Sequence, residues 1–208
     1  MIRKHARLLA VLATALLGAL ATPAPASAAP QEPAKHCVTN LSTGATRCFS
    51  TFSAAIADVT QGEITNADAL PALTPGVGLR DRLNQLGAQA AQRNKAALAA
   101  GSATMAEITV AVNFEHTGYD TRGFTYIWTG YRPCDDGPVD HWEYWLENLT
   151  YNWNNANDKI SSFYGANNCW QQSYEHSSWT GRVLSLRPEA ADLNQVNFND
   201  IISSLRLT

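Results

Sequence analysis

The sequence, 208 residues long, predicts an all-β C-terminal domain over residues 107–208, two Greek-key halves packed as a β-sandwich, preceded by a small disulfide hairpin and a helical linker region. Three observations predict this. Ile108, Val110, Val112 and Phe114 alternate with Thr109, Ala111 and Asn113, the period of two that marks a strand with one buried face. Short runs around 124–128, 160–164, 183–186 and 201–207 are separated by Gly, Asn, Asp and Ser, as in a sandwich of many short strands. The segment also repeats itself.

From the N-terminus, Arg3, Lys4 and Arg7 precede an apolar run from Leu8 to Leu20, followed by Pro23, Pro25 and the small residues Ala26-Ser27-Ala28. That order predicts a secretory signal peptide over 1–28; the run is shorter than the roughly 20 apolar residues of a membrane span. The protein is therefore expected outside the cell. Without 1–28 the chain keeps 12 basic against 18 acidic residues. A mildly acidic chain with no basic run argues against nucleic acid as a partner and suits hard cations. Four cysteines in an exported chain predict two disulfides out of three possible pairings. Cys37 and Cys48 flank the turn signal Ser42-Thr43-Gly44, so a hairpin staple is favoured, leaving Cys134 with Cys169.

Phe52, Ala55, Ile56 and Val59 recur at helical spacing; residues 60–78 read as a Gly- and Pro-containing connector; Leu79, Leu83, Leu86 and Ala90 form a thin stripe on an Ala-rich linker or docking helix ended by Gly101. Residues 29–106 thus form an N-terminal region and 107–208 a domain with its own core.

Two elements repeat in the same order. Phe114-Glu115-His116-Thr117-Gly118-Tyr119 matches Tyr174-Glu175-His176-Ser177-Ser178-Trp179, each leading to a glycine, Gly123 and Gly181. Asn157-Asp158-Lys159-Ile160-Ser161-Ser162 matches Asn199-Asp200-Ile201-Ile202-Ser203-Ser204, starting 42 residues later. The halves are 107–168 and 169–208, the first longer by an insertion over about 130–153 that holds Cys134, Trp142, Trp145 and Trp153. Those aromatic residues cap the sandwich end or offer a platform for a partner or glycan.

The repeated loop carries the chemistry. Calcium takes six to eight oxygen ligands in flexible geometry. Asp158 and Asp200 offer carboxylates, Ser161 and Ser203 hydroxyls, and the bend between them turns out the carbonyls of Lys159 and Ile201. Asn157 and Asn199 can hold the bend through their own backbone, and Ser162 and Ser204 can tie each loop to a neighbouring strand. One such loop is an ordinary turn; two at equivalent places in a repeat point to cation binding.

On these residues the chain from about Glu107 onward resembles microbial βγ-crystallins, whose motif Asn/Asp-Asn/Asp-x-x-Ser/Thr-Ser both loops match. Tyr174, Trp179 and Gly181 match the family's second signature, an aromatic, four residues, an aromatic, one residue, then glycine; Gly123 stands two residues late after Phe114 and Tyr119. The resemblance implies a βγ-crystallin-like sandwich with two calcium sites sharing ligands across the loops. It implies side-chain ligands Asp158, Ser161, Asp200 and Ser203, and backbone carbonyls of Lys159, Ile201, Glu115 and Glu175. The alternative is a secreted inhibitor of proteases, metalloproteases among them, or a killer-toxin-like protein, with Arg132-Pro133-Cys134 as the exposed loop. An enzyme is not expected: Glu115-His116 and Glu175-His176 repeat at matching places, which suits a hairpin role, and no hydrolase or nucleotide-binding motif occurs.

Overall fold

Cys37 and Cys48 face each other across a hairpin of β1 (His36–Asn40) and β2 (Thr46–Phe49) and form a disulfide. The computed structural model describes residues 34–135, 141–150 and 155–208; the expected signal peptide, residues 29–33 of the segment after it, and Trp153 lie outside them. After the hairpin, Thr51 caps α1 (Phe52–Val59) by accepting the Ala54 N–H, and the four residues at helical spacing, Phe52, Ala55, Ile56 and Val59, are buried. In α2 (Leu79–Ala99) Leu79, Leu83 and Ala90 of the expected stripe are buried together with Gly87 and Asn94, and Leu86 is half-buried against the same core. Asn94 fastens the helix end: its amide donates to the carbonyls of Ala106 and Tyr131 and accepts the Ala106 N–H.

The remaining strands are β3 (Ile108–Phe114), β4 (Thr125–Gly130), β5 (Tyr144–Leu146), β6 (Ser162–Gly165), β7 (Gln171–His176), β8 (Thr180–Arg187), β9 (Glu189–Ala190) and β10 (Ser204–Leu207). They form two sheets, β2-β1-β4-β3-β6-β9 and β5-β10-β7-β8. In each half the first two strands form a hairpin and the fourth returns beside the first: β6 beside β3, β10 beside β7. The third strand crosses to the other sheet, β5 pairing with β10 and β9 with β6. The stretch expected to be an insertion therefore contains the third strand of the first half. It did not read as a strand because only three residues pair.

The pairings confirm the internal repeat residue by residue. Phe114 opposite Thr125 and Asn113 opposite Tyr126 correspond to Tyr174 opposite Val183 and Ser173 opposite Leu184. Phe163 opposite Ala190 corresponds to Leu205 opposite Leu146.

Two cores result. One lies between the sheets, with Trp128, Leu149, Phe163, Ile202 and Leu205. The other lies on the outer face of the six-stranded sheet, where Phe52, Ile56, Leu79 and Leu83 from the helices meet Val112, Phe114, Ile127 and Tyr164. The one-faced pattern expected of β3 is corrected here: all seven of its residues are buried. Val112 and Phe114 of β3 face the helices, while its Val110 and Ala111, at the register shift against β4, join the core between the sheets. Its polar side faces the other sheet, where Asn113 accepts the Trp128 indole N–H at 2.8 Å and donates to Gln171 at 3.1 Å. Gln171 passes the chain on to Ser173 at 3.0 Å. Alternation reports that two faces differ, not that one is wet. β1 lies parallel to β4, so the hairpin extends the six-stranded sheet. The second disulfide, Cys134–Cys169, forms as expected. Among the described residues no helix is long and apolar enough to cross a membrane.

Candidate metal centre

Each Asn-Asp-x-x-Ser-Ser loop turns at its aspartate. Asp158 and Asp200 have φ of 55° and 53°, the left-handed region that Asp and Asn tolerate better than most residues. The two loops clasp each other: Asp158 N–H donates to the Ile202 carbonyl and Asp200 N–H to the Ile160 carbonyl, both at 3.1 Å.

That clasp crosses the side chains. Ser161 donates its hydroxyl to Asp200 Oδ1 at 2.9 Å, and Ser203 donates to Asp158 Oδ1 at 3.3 Å. The Asp and Ser of one loop thus meet partners from the other loop, giving two equivalent oxygen clusters. Asn157 and Asn199 each donate from Nδ2 to the following aspartate's Oδ2 at 2.7 Å. They brace the carboxylates rather than their own backbone, as had been expected, because the left-handed turn brings the two side chains together.

The last serine of each loop ties it to the hairpin. Ser162 donates to the His116 carbonyl and accepts the Tyr119 N–H; Ser204 does the same with His176 and Trp179, at 2.6 and 3.1 Å in both copies. Ser161 N–H donates to the Phe114 carbonyl and Ser203 N–H to the Tyr174 carbonyl, at 2.8 and 2.9 Å. These bonds set the peptides of Glu115 and Glu175 next to the Ser161–Asp200 and Ser203–Asp158 clusters respectively.

The Glu-His pairs belong to the hairpins. Glu115 Oε2 accepts the Phe124 N–H at 2.9 Å. Glu175 accepts the Arg182 N–H at 3.2 Å and the Arg182 guanidinium at 3.0 Å; that bonding holds the Glu175 carboxyl below the ordinary carboxylate range. The late glycine of the first hairpin is also accounted for. A Cβ on Gly123 would lie 2.7 Å from Glu115 Oε2 and 2.8 Å from His116 Nε2; one on Gly181 would lie 2.8 Å from the His176 ring. The two glycines occupy the same place under their hairpins, and the first hairpin is two residues longer around it. The sequence signal was the shared Glu-His pair, not the spacing.

The other expected ligand residues stand around the clusters. The Lys159 ammonium lies over the Phe124 ring at 5.6 Å, and Ile201 packs against the core between the sheets. The donors gathered here are oxygens: carboxylate, hydroxyl and peptide carbonyl, the set for a hard cation. Asn199 Oδ1 is buried with no hydrogen-bond partner among the described residues, a further oxygen left over beside Asp200. Among the described residues no three His, Cys, Asp or Glu side chains gather into one cluster, so each oxygen cluster brings one carboxylate.

The loop at Arg132-Pro133-Cys134 is held by the disulfide and by Tyr144. The Tyr144 hydroxyl accepts the Arg132 N–H at 3.2 Å and donates to its carbonyl at 2.8 Å. Both main-chain groups of Arg132 are thereby used.

No protein-family model and no curated protein matches the chain. Solved βγ-crystallin domains are among the structures it is similar to, as the paired loops led one to expect. A structure described under the evolution of the eye-lens βγ-crystallin domain fold is 19% identical over 48% of this chain and 85% of its own, with a TM-score of 0.36. A βγ-crystallin domain from Flavobacterium johnsoniae is 20% identical over 48% and 93%, with a TM-score of 0.33. A βγ-crystallin from an archaeon is 22% identical over 48% and 98%, with a TM-score of 0.32. Each is a likeness of fold.

Proposed function

We propose that this is a secreted calcium-binding protein, with two sites formed by the clasped loops. The observation that carries the reading is the crossed pair, Ser161 on Asp200 and Ser203 on Asp158. One site would take the Asp200 carboxylate, the Ser161 hydroxyl and the Glu115 carbonyl. The other would take Asp158, Ser203 and the Glu175 carbonyl. The carbonyls of Lys159 and Ile201 and water would complete them. A bound calcium ion supplies positive charge and no reaction. At each site it would offset one carboxylate, Asp200 or Asp158, and the crossed loops would tie the two halves of the sandwich together. The role is binding, not catalysis. One carboxylate per site predicts modest affinity, on the order of 10⁻⁴ M, as in extracellular modules. The inhibitor alternative is the weaker reading, because Tyr144 already uses the Arg132 main chain that an extended protease contact would need.

Calcium that binds only the folded state raises stability by about 2.7 kcal/mol at a hundredfold excess over Kd. Thermal unfolding of the purified protein should move upward with calcium and return with chelator. The double variant Asp158→Ala with Asp200→Ala should keep its fold and lose the shift. A melting temperature indifferent to calcium overturns the reading.

A further inference from the structure

Among the described residues the outer face of the four-stranded sheet has no counterpart to the helices that cover the other sheet, and its side chains differ in kind. Register equivalence makes the contrast residue by residue. Phe114 and Tyr119, under the helices, correspond to Tyr174 and Trp179; the rings are kept. Val112, Ile127 and Tyr164 correspond to Gln172, Ser185 and Arg206; the aliphatic groups are replaced by hydrogen-bonding ones. Glu189, opposite Tyr164, corresponds to Trp145, opposite Arg206, and Trp145 is 58% exposed.

Arg206 sits among rings. Its guanidinium lies 4.2 Å from the Trp179 ring centre, 5.4 Å from Trp142 and 5.7 Å from Tyr174. Arg47, Arg80, Arg122 and Arg182 reach carboxylates; Arg82, Arg93, Arg132, Arg187 and Arg206 form no ion pair among the described residues, and of these five Arg206 is the one held over aromatic rings. Aromatic faces fix a guanidinium and leave its edge, with its fork of N–H donors, unused. That fork matches a planar carboxylate.

We propose that this face binds an acidic polysaccharide, with a sugar ring laid on Trp145 and its uronate carboxylate held by Gln172 and by Arg206, which the Trp142 and Trp179 rings hold in place. The molecule supplies its own control for a protein occupant. The face that protein does cover is aliphatic, with Val112 and Ile127 against Leu79 and Leu83. The open face keeps the rings and carries Gln172, Ser185 and Arg206 where the covered face has Val112, Ile127 and Tyr164; Val183, in the place of Thr125, is the aliphatic group it gains. A sugar presents flat C–H faces and a rim of oxygens, which is what rings interleaved with N–H donors complement. The unpaired arginine selects sugars that carry a carboxylate.

The test is a titration of the purified protein, in chelator so that the calcium loops play no part, followed by tryptophan fluorescence. The probes are oligogalacturonate, the neutral galactose oligomer of equal length, and oligoglutamate as an acidic peptide. Oligogalacturonate should change the emission saturably and bind at least about tenfold more tightly than the neutral oligomer. Trp145→Ala, at an exposed position, should weaken binding at least about tenfold with the melting temperature unchanged. Arg206→Met should remove most of the preference for the acidic over the neutral sugar. Equal binding of the two sugars by the unaltered protein, no response to either, or binding of oligoglutamate at least as tight as that of the sugar overturns the proposal.

Discussion

The two outer faces of the sandwich are built from equivalent strands of the repeat and meet opposite surroundings. On the six-stranded sheet, Phe114, Tyr119 and Tyr164 stand with ring centres 5.7–5.8 Å apart. They carry α1 and α2 on top, with Phe52 against Phe114 at 6.0 Å. On the four-stranded sheet the corresponding Tyr174, Trp179 and Arg206 meet Trp142 and solvent. A repeat doubles a fold, but each copy's outer face must be either dried or made wettable. Here residues 36–99 dry one face, and a tyrosine-to-arginine exchange makes the other tolerable in water.

Exchanging the equivalent residues breaks that comparison most directly. Tyr164 is fully buried, so Tyr164→Arg sets an unpaired cation beneath the helices. A loss of about 5 kcal/mol or outright unfolding is expected in urea denaturation. The reciprocal Arg206→Tyr sits on the open face and should cost within roughly 0.5 kcal/mol. Similar losses for the two would show that the faces are not differently covered.

A smaller effect probes the layer the faces share. Asn113→Ala leaves the Trp128 indole N–H and the Gln171 amide oxygen buried without their partner, at an expected cost of about 2–3 kcal/mol. Equilibrium unfolding measures it. A cost well below 1 kcal/mol would mean that water replaces the amide.

The smallest effect is acid weakening of the covered face. His36 of β1 is buried, with Nδ1 at 3.0 Å from the Thr125 hydroxyl. Burial lowers its pKa from the ordinary 6.5, Asp68 pulling the other way and Lys35 adding to the lowering. The folded state therefore favours neutral His36, while the unfolded chain takes up a proton near pH 6.5. Its contribution is complete above pH 6.5. It declines as pH falls from there toward the lowered folded value, and is constant again below both. The urea midpoint should drop over that window in the unaltered protein and drop less in His36→Asn. Equal slopes would remove His36 as the cause.

Much of the site was legible because it is local. The left-handed aspartates, the serines and the hairpin Glu-His pairs are short-range chemistry, and a repeat exposes short-range chemistry twice. Asp158, Ser161, Asp200 and Ser203 are the residues that the paired motif singles out. Their crossing was implied by the family resemblance and not by the residues, since nothing within one loop says that its serine reaches the other loop's aspartate. The setting of Arg206 is visible in the sequence only as the residue two after Ser204, where Tyr164 stands two after Ser162; its rings come from distant segments.

The sequence by itself determined the β-rich C-terminal region, its repeat, most of the buried stripe of each helix and the loop residues, and it favoured the disulfide pairings that form. All of these follow from periodicity, turn chemistry and spacing along a few residues. Only the tertiary structure decided that β5 and β9 change sheets, that β1 joins β4, that Asn113 is buried and that one outer face is covered and the other open. Those are choices between partners far apart in the chain. A three-residue strand or an alternating run carries the same local signal whichever partner it meets, so packing alone distinguishes them.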